Sequence, residues 1–399
     1  MITLLHGDCR DQLQTLPDRS VQTVITSPPY YGLRVYNPGD PREIGQEPTP
    51  AAYVAALVAV FAECWRVLRD DGTLFLNLGD SYSAGKSGRT DHGTNDPTSR
   101  LGPLRNGIPN GTPPGPVVPR KPPDGMQSKQ LLGIPWRVAF ALQDAGWILR
   151  SDIIWSKPNP MPESVRDRPT RAHEYVFMFA KRQRYYYDAT AISEPVARLW
   201  DPEKIGGSLC GTDGRDKALI NGHGRAERAK TAPRPDGTRN RRSVWTIATR
   251  PYAAAHFATF PEALVEPCIL AGSAAQACET CGAAWVRVVE RESASADNPR
   301  DWQGVPEYQV NRNGRSQEPK KIGAVGTPKA HDRGFAPACR CETNTGRARS
   351  IVLDPFGGAG TVSKVAERFQ RDSILIDLNP AYVELQEDRT NGVQVDMLL

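Results

Sequence analysis

The chain has few of the features that mark secreted, membrane-spanning or strongly charged proteins. Its 399 residues include only 8 cysteines, too few for a disulfide framework. The segment Met1–Asp8 lacks the cationic start and the long apolar core of a signal peptide. The most apolar stretch, Ala51–Phe61, is too short to span a bilayer, and a formal charge of +5 identifies no partner. We therefore expect a cytoplasmic protein without a membrane segment.

Signatures of several enzyme classes are also missing. The register from Gly358 and Gly360 places Ser363 at the third glycine position of a dinucleotide fingerprint, which disfavours a nicotinamide enzyme. The residue before Cys278 is not proline, so the Pro-Cys-x-x-Cys motif of zinc deaminases is absent. The Pro-Cys pair that ends at Cys268 lies in an apolar helical stretch and not after a catalytic strand. We interpret Cys268 as a packing residue, which disfavours a cytosine C5 methyltransferase.

The pattern that is present alternates strands and helices, as α/β proteins do. The predicted strands are Ile2–Leu5, Val21–Ile25, Thr73–Leu78, Trp147–Trp155, Glu174–Ala180, Ile351–Leu353 and Ser373–Ile376. The predicted helices are Arg10–Leu16, Tyr53–Leu68, Pro135–Ala145, Pro261–Leu270, Thr361–Phe369 and Pro380–Arg389. The cluster Asp70-Asp71-Gly72 is expected to end the second helix before the next strand begins. We therefore expect one large α/β core with insertions and no internal repeat.

A glycine-rich segment, Asp354–Thr361, connects a predicted strand to a predicted helix. Its glycines allow backbone N–H groups and the start of the helix to approach a ligand closely. Asp377 ends the next strand, where a carboxylate can accept hydrogen bonds from both ribose hydroxyls. This pair predicts a nucleoside cofactor. Phe260 is expected to cover its purine or sulfonium, or else to be a core residue at a helix start, and Asp8 is expected to bind its adenine amine, or else to cap a helix.

The segment Ser27-Pro28-Pro29-Tyr30 follows a predicted strand, the position where open α/β sheets place their chemistry. Its two prolines make the backbone rigid. The Ser27 side chain and the Pro28 carbonyl can accept hydrogen bonds from the amino group of a base and so expose its lone pair to a methyl sulfonium. Tyr30 can stack on the target base. The alternative interpretation is a plain proline turn.

On these residues the chain resembles the S-adenosylmethionine-dependent DNA amino-methyltransferases, in the permuted β class where the catalytic motif precedes the cofactor motif. The resemblance implies a Rossmann-like α/β fold with a mixed seven-stranded sheet, loop insertions and a flipped target base in double-stranded DNA. Serine at the first catalytic position, Ser27, is typical of cytosine N4 enzymes, whereas Asp or Asn is typical of adenine N6 enzymes. The implied catalytic residues are Ser27, Pro28, Pro29 and Tyr30. The implied cofactor-binding residues are Asp8, Phe260, Pro261, Asp354, Pro355, Phe356, Gly358, Gly360, Thr361 and Asp377.

We therefore predict a DNA methyltransferase that transfers the methyl group of S-adenosylmethionine to N4 of cytosine. An adenine N6 methyltransferase of the same fold is the first alternative. A noncatalytic, zinc-containing protein that binds nucleic acid is the second. Family members from restriction-modification systems have a cognate restriction endonuclease as partner. The sequence leaves open whether this chain has one, which DNA sequence it recognises and what its oligomeric state is.

Four cysteines form two close pairs, Cys278-x-x-Cys281 and Cys339-x-Cys341. Four thiolate ligands fill all coordination positions of a zinc ion, as is typical of a structural zinc site. Such a site contributes stability and not catalysis. We therefore predict a small zinc-ribbon-like insertion. Four reduced cysteines in a surface insertion are the alternative interpretation.

The predicted organisation follows from these motifs. Residues 1–80 and 131–195 form the catalytic half, separated by a Gly/Pro-rich insertion at 81–130. Residues 196–250 form a basic candidate target-recognition segment, with a solvated loop as the alternative. The cofactor-binding half consists of residues 251–272 and 350–399, and residues 273–349 form the cysteine insertion.

Overall fold

The computed structural model describes residues 1–37, 39–83, 126–195, 238–249, 260–291, 330–390 and 393–394. They form two compact units. The larger contains Met1–Ser193, Asn240–Ala284 and Cys339–Leu399, and the smaller contains Glu194–Arg239 and Trp285–Ala338. Residues 84–125 of the Gly/Pro-rich insertion, 196–237 of the basic segment and 292–329 of the cysteine insertion lie outside the described residues. The division differs from the predicted one, because residues 240–249 and all four paired cysteines belong to the larger unit.

The described residues contain thirteen strands, numbered in chain order. They are β1 (Ile2–His6), β2 (Val21–Thr26), β3 (Leu68–Leu78), β4 (Ile148–Ser156), β5 (His173–Ala180), β6 (Glu194–Pro195), β7 (Thr238–Arg239), β8 (Val244–Thr246), β9 (Trp285–Arg291), β10 (Ala330–Pro337), β11 (Ile351–Asp354), β12 (Asp372–Asp377) and β13 (Val393–Gln394). Nine of them form the sheet of the larger unit, in the order β13-β1-β12-β11-β2-β3-β5-β4-β8. The strand β5 runs antiparallel to both neighbours and the other pairs are parallel.

The mixed Rossmann-like sheet is confirmed, and its seven longer strands are the seven predicted ones. Two short edge strands, β8 and β13, extend it to nine. With three and two residues, these strands are too short to carry a recognisable alternation of apolar and polar residues. The strand β8 contributes the buried Trp245, whose indole N–H donates to the Arg242 carbonyl at 2.8 Å.

The helices α1 (Cys9–Thr15), α2 (Pro50–Val67), α3 (Ile134–Asp144), α4 (Glu262–Gly272), α5 (Thr361–Arg368) and α6 (Pro380–Arg389) cover the two faces of this sheet. Side chains from α1, α2 and α3 share one core with alternate strand residues such as Leu74 and Leu76. Those from α4, α5 and α6 share a second core with the intervening residues, such as Phe75. The period-two alternation of the strands thus produces an α/β/α arrangement.

The helix α2 ends earlier than the sequence indicates. It stops at Val67 and β3 starts at once with Leu68, so Asp70-Asp71-Gly72 lies inside the strand and does not end the helix. The pairing of β3 with β2 is irregular here: Leu68 pairs with Val21, and the next paired residue, Thr73, pairs with Thr23. The extra residues of β3 between these two pairs include the polar ones. In the described part of the chain, α2 is the one helix long and apolar enough to cross a membrane, but its core-facing side chains are fully buried.

The smaller unit contains two antiparallel strand pairs. The strands β9 and β10 pair over most of their length, with a register shift between Asp332 and Phe335. The strands β6 and β7 form a short ladder, in which Arg239 pairs with Glu194 at 2.8 Å. The strands β9 and β10 lie in the predicted cysteine insertion and β7 lies in the predicted basic segment, whereas β6 lies at the end of the predicted catalytic half.

Candidate active site

The structure brings the two motif segments together at the carboxyl edge of the sheet. Residues 27–30 follow β2 and residues 355–361 follow β11. These strands are parallel neighbours, with Val352 opposite Thr23 and Leu353 opposite Val24. Segments more than 300 positions apart in the sequence therefore meet in space, at the edge where open α/β sheets bind their ligands.

A direct hydrogen bond links the two strand ends. The Thr26 hydroxyl donates to Oδ1 of Asp354 at 2.6 Å, and the Phe356 N–H donates to the same oxygen at 3.1 Å. Asp354 is fully buried, and its Oδ2 atom has no hydrogen-bond partner among the described residues. Burial raises the pKa of Asp354 to about 7, against the opposing effect of the two hydrogen bonds. A buried, unpartnered carboxylate oxygen is a natural acceptor for a cationic ligand group.

The glycine-rich segment forms a tight turn that α6 holds from behind. Gly358 and Gly360 have φ angles of 50° and 72°, which residues other than glycine rarely adopt. The Gln386 amide donates to the Gly358 carbonyl at 2.8 Å, and Arg389 donates to the Ala359 carbonyl at 2.7 Å. With these carbonyls bound by α6, the turn leads directly into α5, which starts at Thr361.

Asp377 lies at the end of β12, beside this turn. Its Oδ2 accepts the Gly358 N–H at 2.7 Å, and its Oδ1 accepts the Asn379 N–H at 2.9 Å. Burial raises the pKa of Asp377 to about 6, although both backbone hydrogen bonds lower it. Because a carboxylate has about four acceptor positions, two remain for a ligand.

The residues after β2 belong to a polar network that spans three strands. The Ser27 hydroxyl donates to Oδ1 of Asn77, on β3, at 3.1 Å. The Tyr30 hydroxyl lies 2.9 Å from the same oxygen and 2.8 Å from Oε2 of Glu174, on β5. Asn77 in turn donates from Nδ2 to the Tyr175 carbonyl at 3.0 Å. The network fixes Ser27 and Tyr30 relative to the sheet.

A charged pair ends this network. Glu174 forms an ion pair with Lys157, whose ammonium lies 4.2 Å from the ring centre of Trp155. Both charged side chains are less than one-fifth exposed. Burial raises the pKa of Tyr30 well above its ordinary value, and the negative charge of Glu174 raises it further. The phenol therefore stays protonated and acts as a hydrogen-bond donor.

The Tyr30 ring and the prolines before it are held by close packing. A Cβ atom added at Gly79 would lie 2.5 Å from the ring carbon Cε2 of Tyr30, so the ring rests against bare backbone. The Tyr53 hydroxyl donates to the Pro29 carbonyl at 2.8 Å. None of the described residues donates to the Pro28 carbonyl. The turn thus presents one rigid carbonyl and a half-buried aromatic ring.

The remaining predicted site residues occupy different environments. Asp8 caps α1 by accepting the Arg10 N–H at 2.9 Å, and it also forms an ion pair with the Arg10 side chain, as the helix-cap interpretation expects. Pro261 is the N-cap of α4. Phe260 lines a narrow crevice between α4 and the sheet, together with Thr26 and other residues of β2 and β3. Residues 256–259, upstream of it, lie outside the described residues.

The four paired cysteines converge in the larger unit. The sulfur atoms of Cys278, Cys281, Cys339 and Cys341 all lie within 4.8 Å of one another. The first pair lies on a tight turn, in which the Gly282 N–H donates to the Cys278 carbonyl at 2.8 Å. We call these four residues the cysteine cluster. Cys268, by contrast, is buried in α4 and donates to the Leu264 carbonyl, as expected for a packing residue.

With this geometry in place, comparison with known proteins identifies the family. A family model described as DNA methylase matches residues 21–276 and 340–388. The chain belongs to the S-adenosylmethionine-dependent DNA amino-methyltransferases. It is 42% identical over 388 residues to the Type II methyltransferase M.SmaI of Serratia marcescens, across 97% of this chain and 89% of that protein. It is 34% identical over 396 residues to M.Cfr9I of Citrobacter freundii, across 99% of this chain and 90% of that protein.

A solved structure shares the fold of this methyltransferase. The PvuII DNA methyltransferase, described as cytosine-N4-specific, superposes with a TM-score of 0.50 at 14% sequence identity. The match covers 100% of this chain and 88% of that chain. At this level of identity the similarity concerns the fold and not the choice of base.

Sequence reasoning missed several residues that shape the site of the methyltransferase. Asn77 lies in the apolar second half of β3, and Glu174 lies near the start of β5, before an apolar run. A buried polar residue in an apolar strand is the signal that could have identified them. Nothing in the sequence links Lys157 or Tyr53 to this edge, because only the folded sheet brings them there.

Proposed function

We propose that this DNA methyltransferase transfers a methyl group to the exocyclic N4 amine of cytosine in duplex DNA. Ser27 carries the proposal. Its hydroxyl donates to Asn77 and so keeps its lone pairs available to accept from an amine. The adjacent Pro28 carbonyl offers the second acceptor. Two acceptors can bind the two N–H groups of a base amine. When both N–H groups are bound in this way, the amine nitrogen favours the form that carries a lone pair and can attack the methyl group.

The other residues of the catalytic segment hold the base. A half-buried Tyr30 ring, supported by Gly79 on one side, can stack on an extruded base. Such stacking contributes about 1–3 kcal/mol, comparable with the few kcal/mol that base extrusion costs. The network of Asn77, Glu174 and Lys157 keeps this ring in place. The base is thereby positioned over the acceptors before the reaction.

S-Adenosylmethionine, when bound, supplies an electrophilic methyl group for direct in-line transfer. The residues at the end of β11 fit it: the unpartnered Oδ2 of Asp354 suits the ammonium of its methionine part, and Asp377 suits the ribose hydroxyls. The turn at Gly358 and Gly360 admits the ligand close to the backbone. Asp8 and Phe260 are proposed to contact the adenine. The full proposed set is Asp8, Phe260, Pro261, Asp354, Pro355, Phe356, Gly358, Gly360, Thr361 and Asp377.

The cysteine cluster is proposed to hold one structural zinc ion. Sulfur atoms about 4 Å apart are what a tetrahedral site with Zn–S bonds near 2.3 Å requires, and all four sulfurs lie within 4.8 Å. Four protein ligands leave no open position, so the ion stabilises the fold and does not react. Metal analysis of the purified protein should find about one zinc per chain, and a chain without metal would contradict the assignment.

The biological setting is proposed from the relatives. M.Cfr9I and M.SmaI are both named Type II methyltransferases. We propose that this enzyme also acts beside a cognate restriction endonuclease, in the cytoplasm, where it methylates the DNA that the endonuclease would cut. Expression of the methyltransferase gene should protect cellular DNA from one restriction enzyme of matching specificity. Full cleavage of that DNA by every enzyme tested would count against this role.

Product analysis tests the proposal directly. Purified protein is incubated with labelled S-adenosylmethionine and duplex DNA of mixed sequence, and the digested nucleosides are identified by mass spectrometry. N4-methylcytosine is the expected product. N6-methyladenine would support the second candidate, an adenine enzyme of the same family. If neither product forms although the protein binds the cofactor in a separate assay, a noncatalytic binding role gains support.

A further inference from the structure

The cysteine cluster lies at the edge of the sheet opposite the candidate active site, yet it is tied to the strands that carry that site. The link is Gln22, at the start of β2, which is 7% exposed. Its Nε2 atom donates to the Gly282 carbonyl, in the turn of the first cysteine pair, at 2.8 Å. Its Oε1 atom accepts the N–H of Ile351, the first residue of β11, at 2.5 Å. One side chain thus connects the cluster to both strands.

A second contact supports the same turn. Arg69, at the start of β3, donates from its guanidinium to the Cys281 carbonyl. Its Nε atom also pairs with Asp71 at 3.0 Å. The carbonyls of Cys281 and Gly282 are therefore anchored to the starts of two adjacent strands. Two hydrogen bonds therefore link this turn to the sheet.

The alignment of β2 with β11 depends on few other contacts. Their ladder contains only two residue pairs, Thr23 with Val352 and Val24 with Leu353. The Thr26–Asp354 hydrogen bond closes one end of the ladder and the Gln22 bridge closes the other. Ser27 lies about 16 Å along the strand from Gln22, at about 3.3 Å per residue. A change at Gln22 can thus shift Ser27 relative to the cofactor loop.

We propose that metal occupancy of the cysteine cluster controls cofactor affinity, with Gln22 as the positioning residue that couples the two sites. The proposal rests on the zinc and cofactor assignments above. Without metal, the turn at Cys278–Gly282 loses its cross-link and the buried amide of Gln22 loses its fixed acceptor, so the Gln22 bridge no longer constrains the register of β2 and β11. Coupling of this kind is reciprocal, so the cofactor also strengthens metal binding.

Metal release from the intact protein tests the coupling without requiring a folded apoprotein. The metal-loaded full chain is mixed with a chromogenic chelator, and the release rate is measured with and without saturating S-adenosylmethionine. We expect the cofactor to slow release about tenfold in the unaltered protein. In Gln22→Ala the metal content should stay at one per chain, but the cofactor should change the release rate less than twofold. The exposed Gln14→Ala variant is the matched control and should behave as the unaltered protein.

Cofactor affinity measured by calorimetry on the same metal-loaded proteins supplies the second readout. Gln22→Ala should bind S-adenosylmethionine several-fold more weakly, and Gln14→Ala should bind it normally. Equal release rates with and without bound cofactor in the unaltered protein would overturn the coupling while leaving the proposed function intact. Failure of the unaltered protein to bind S-adenosylmethionine would overturn both. Absence of metal would overturn the coupling and the zinc assignment alone.

Discussion

The two sides of the candidate active site are built in different ways. On the cofactor side, the Gly358–Gly360 turn, its hydrogen bonds to α6 and the carboxylate of Asp377 lie within one continuous stretch of the chain. On the catalytic side, Ser27 and Tyr30 depend on side chains from β3 and β5. One side is thus a local backbone conformation, and the other is an assembly of distant side chains. The comparison predicts that the two sides respond differently to substitution.

The largest effect is expected from Tyr30→Ala. It removes both the ring proposed to stack on the base and the hydroxyl that meets Glu174 at 2.8 Å. Stacking contributes about 1–3 kcal/mol and a hydrogen bond to a charged group about 1.5–3 kcal/mol, so kcat should fall at least a hundredfold. Steady-state methylation assays and cofactor calorimetry measure this. Tyr30→Phe keeps the ring and should lose about tenfold. Weakened cofactor binding in either variant would show that the two sides are not separable.

Next in size is the effect of Glu174→Gln. The substitution keeps the hydrogen-bond acceptor for Tyr30 but leaves the poorly exposed Lys157 without its ion-pair partner. We expect kcat to fall on the order of tenfold, with cofactor affinity unchanged, in the same kinetic and calorimetric assays. The matched control is Glu163→Gln, which also removes an ion pair, the one with Arg168 at 2.6 Å. If Glu174→Gln and Glu163→Gln had the same kcat, a role for the Glu174 charge would be contradicted.

The cofactor side should respond to Gly360→Ala. At a φ angle of 72° an added Cβ costs about 1–2 kcal/mol, and it would lie 3.3 Å from Cγ of Gln386. We expect cofactor affinity to fall about tenfold while kcat at saturating cofactor stays close to normal. Gly146→Ala is the control, because its φ angle is 103° and nothing lies within 4 Å of the new Cβ. It should lower stability similarly and leave cofactor binding intact. A matching loss of cofactor affinity in the control would refute the local explanation.

The last prediction concerns stability and not catalysis, and it is a pH dependence at Asp354. Burial raises its pKa to about 7 from an ordinary value of 3.8, so the folded state favours the protonated acid. The stability this gives is complete below about pH 4 and is lost as the pH rises through 7. Asp354→Asn should remove this loss. Urea unfolding without cofactor from pH 5 to 8 should show the unaltered protein losing stability relative to the variant, and parallel profiles would rule out the shifted pKa.

Prediction from sequence succeeded where the signal was local. The glycine turn after β11, the acid at the end of β12 and the two cysteine pairs are each readable within a few residues, and the structure places them as a turn, a neighbouring carboxylate and a cluster of sulfurs. The division between α2 and β3 was mispredicted, because Leu68 and Thr73 both pair with β2 and so enclose residues 69–72 within the strand, against their local preference. Tertiary hydrogen bonds outweigh turn propensity there.

The sequence by itself determined the order of strands and helices, the residue types at both motifs and the family to which they belong. Periodic burial and short motifs carry that information, since they depend only on neighbouring residues. Only the tertiary structure decided that Glu174 and Asn77 hold Tyr30, that Asp354 keeps one oxygen unpartnered, and that Gln22 joins the cysteine cluster to the sheet. These contacts join residues from 47 to 260 positions apart, and strand order, which arises only on folding, brings such residues together.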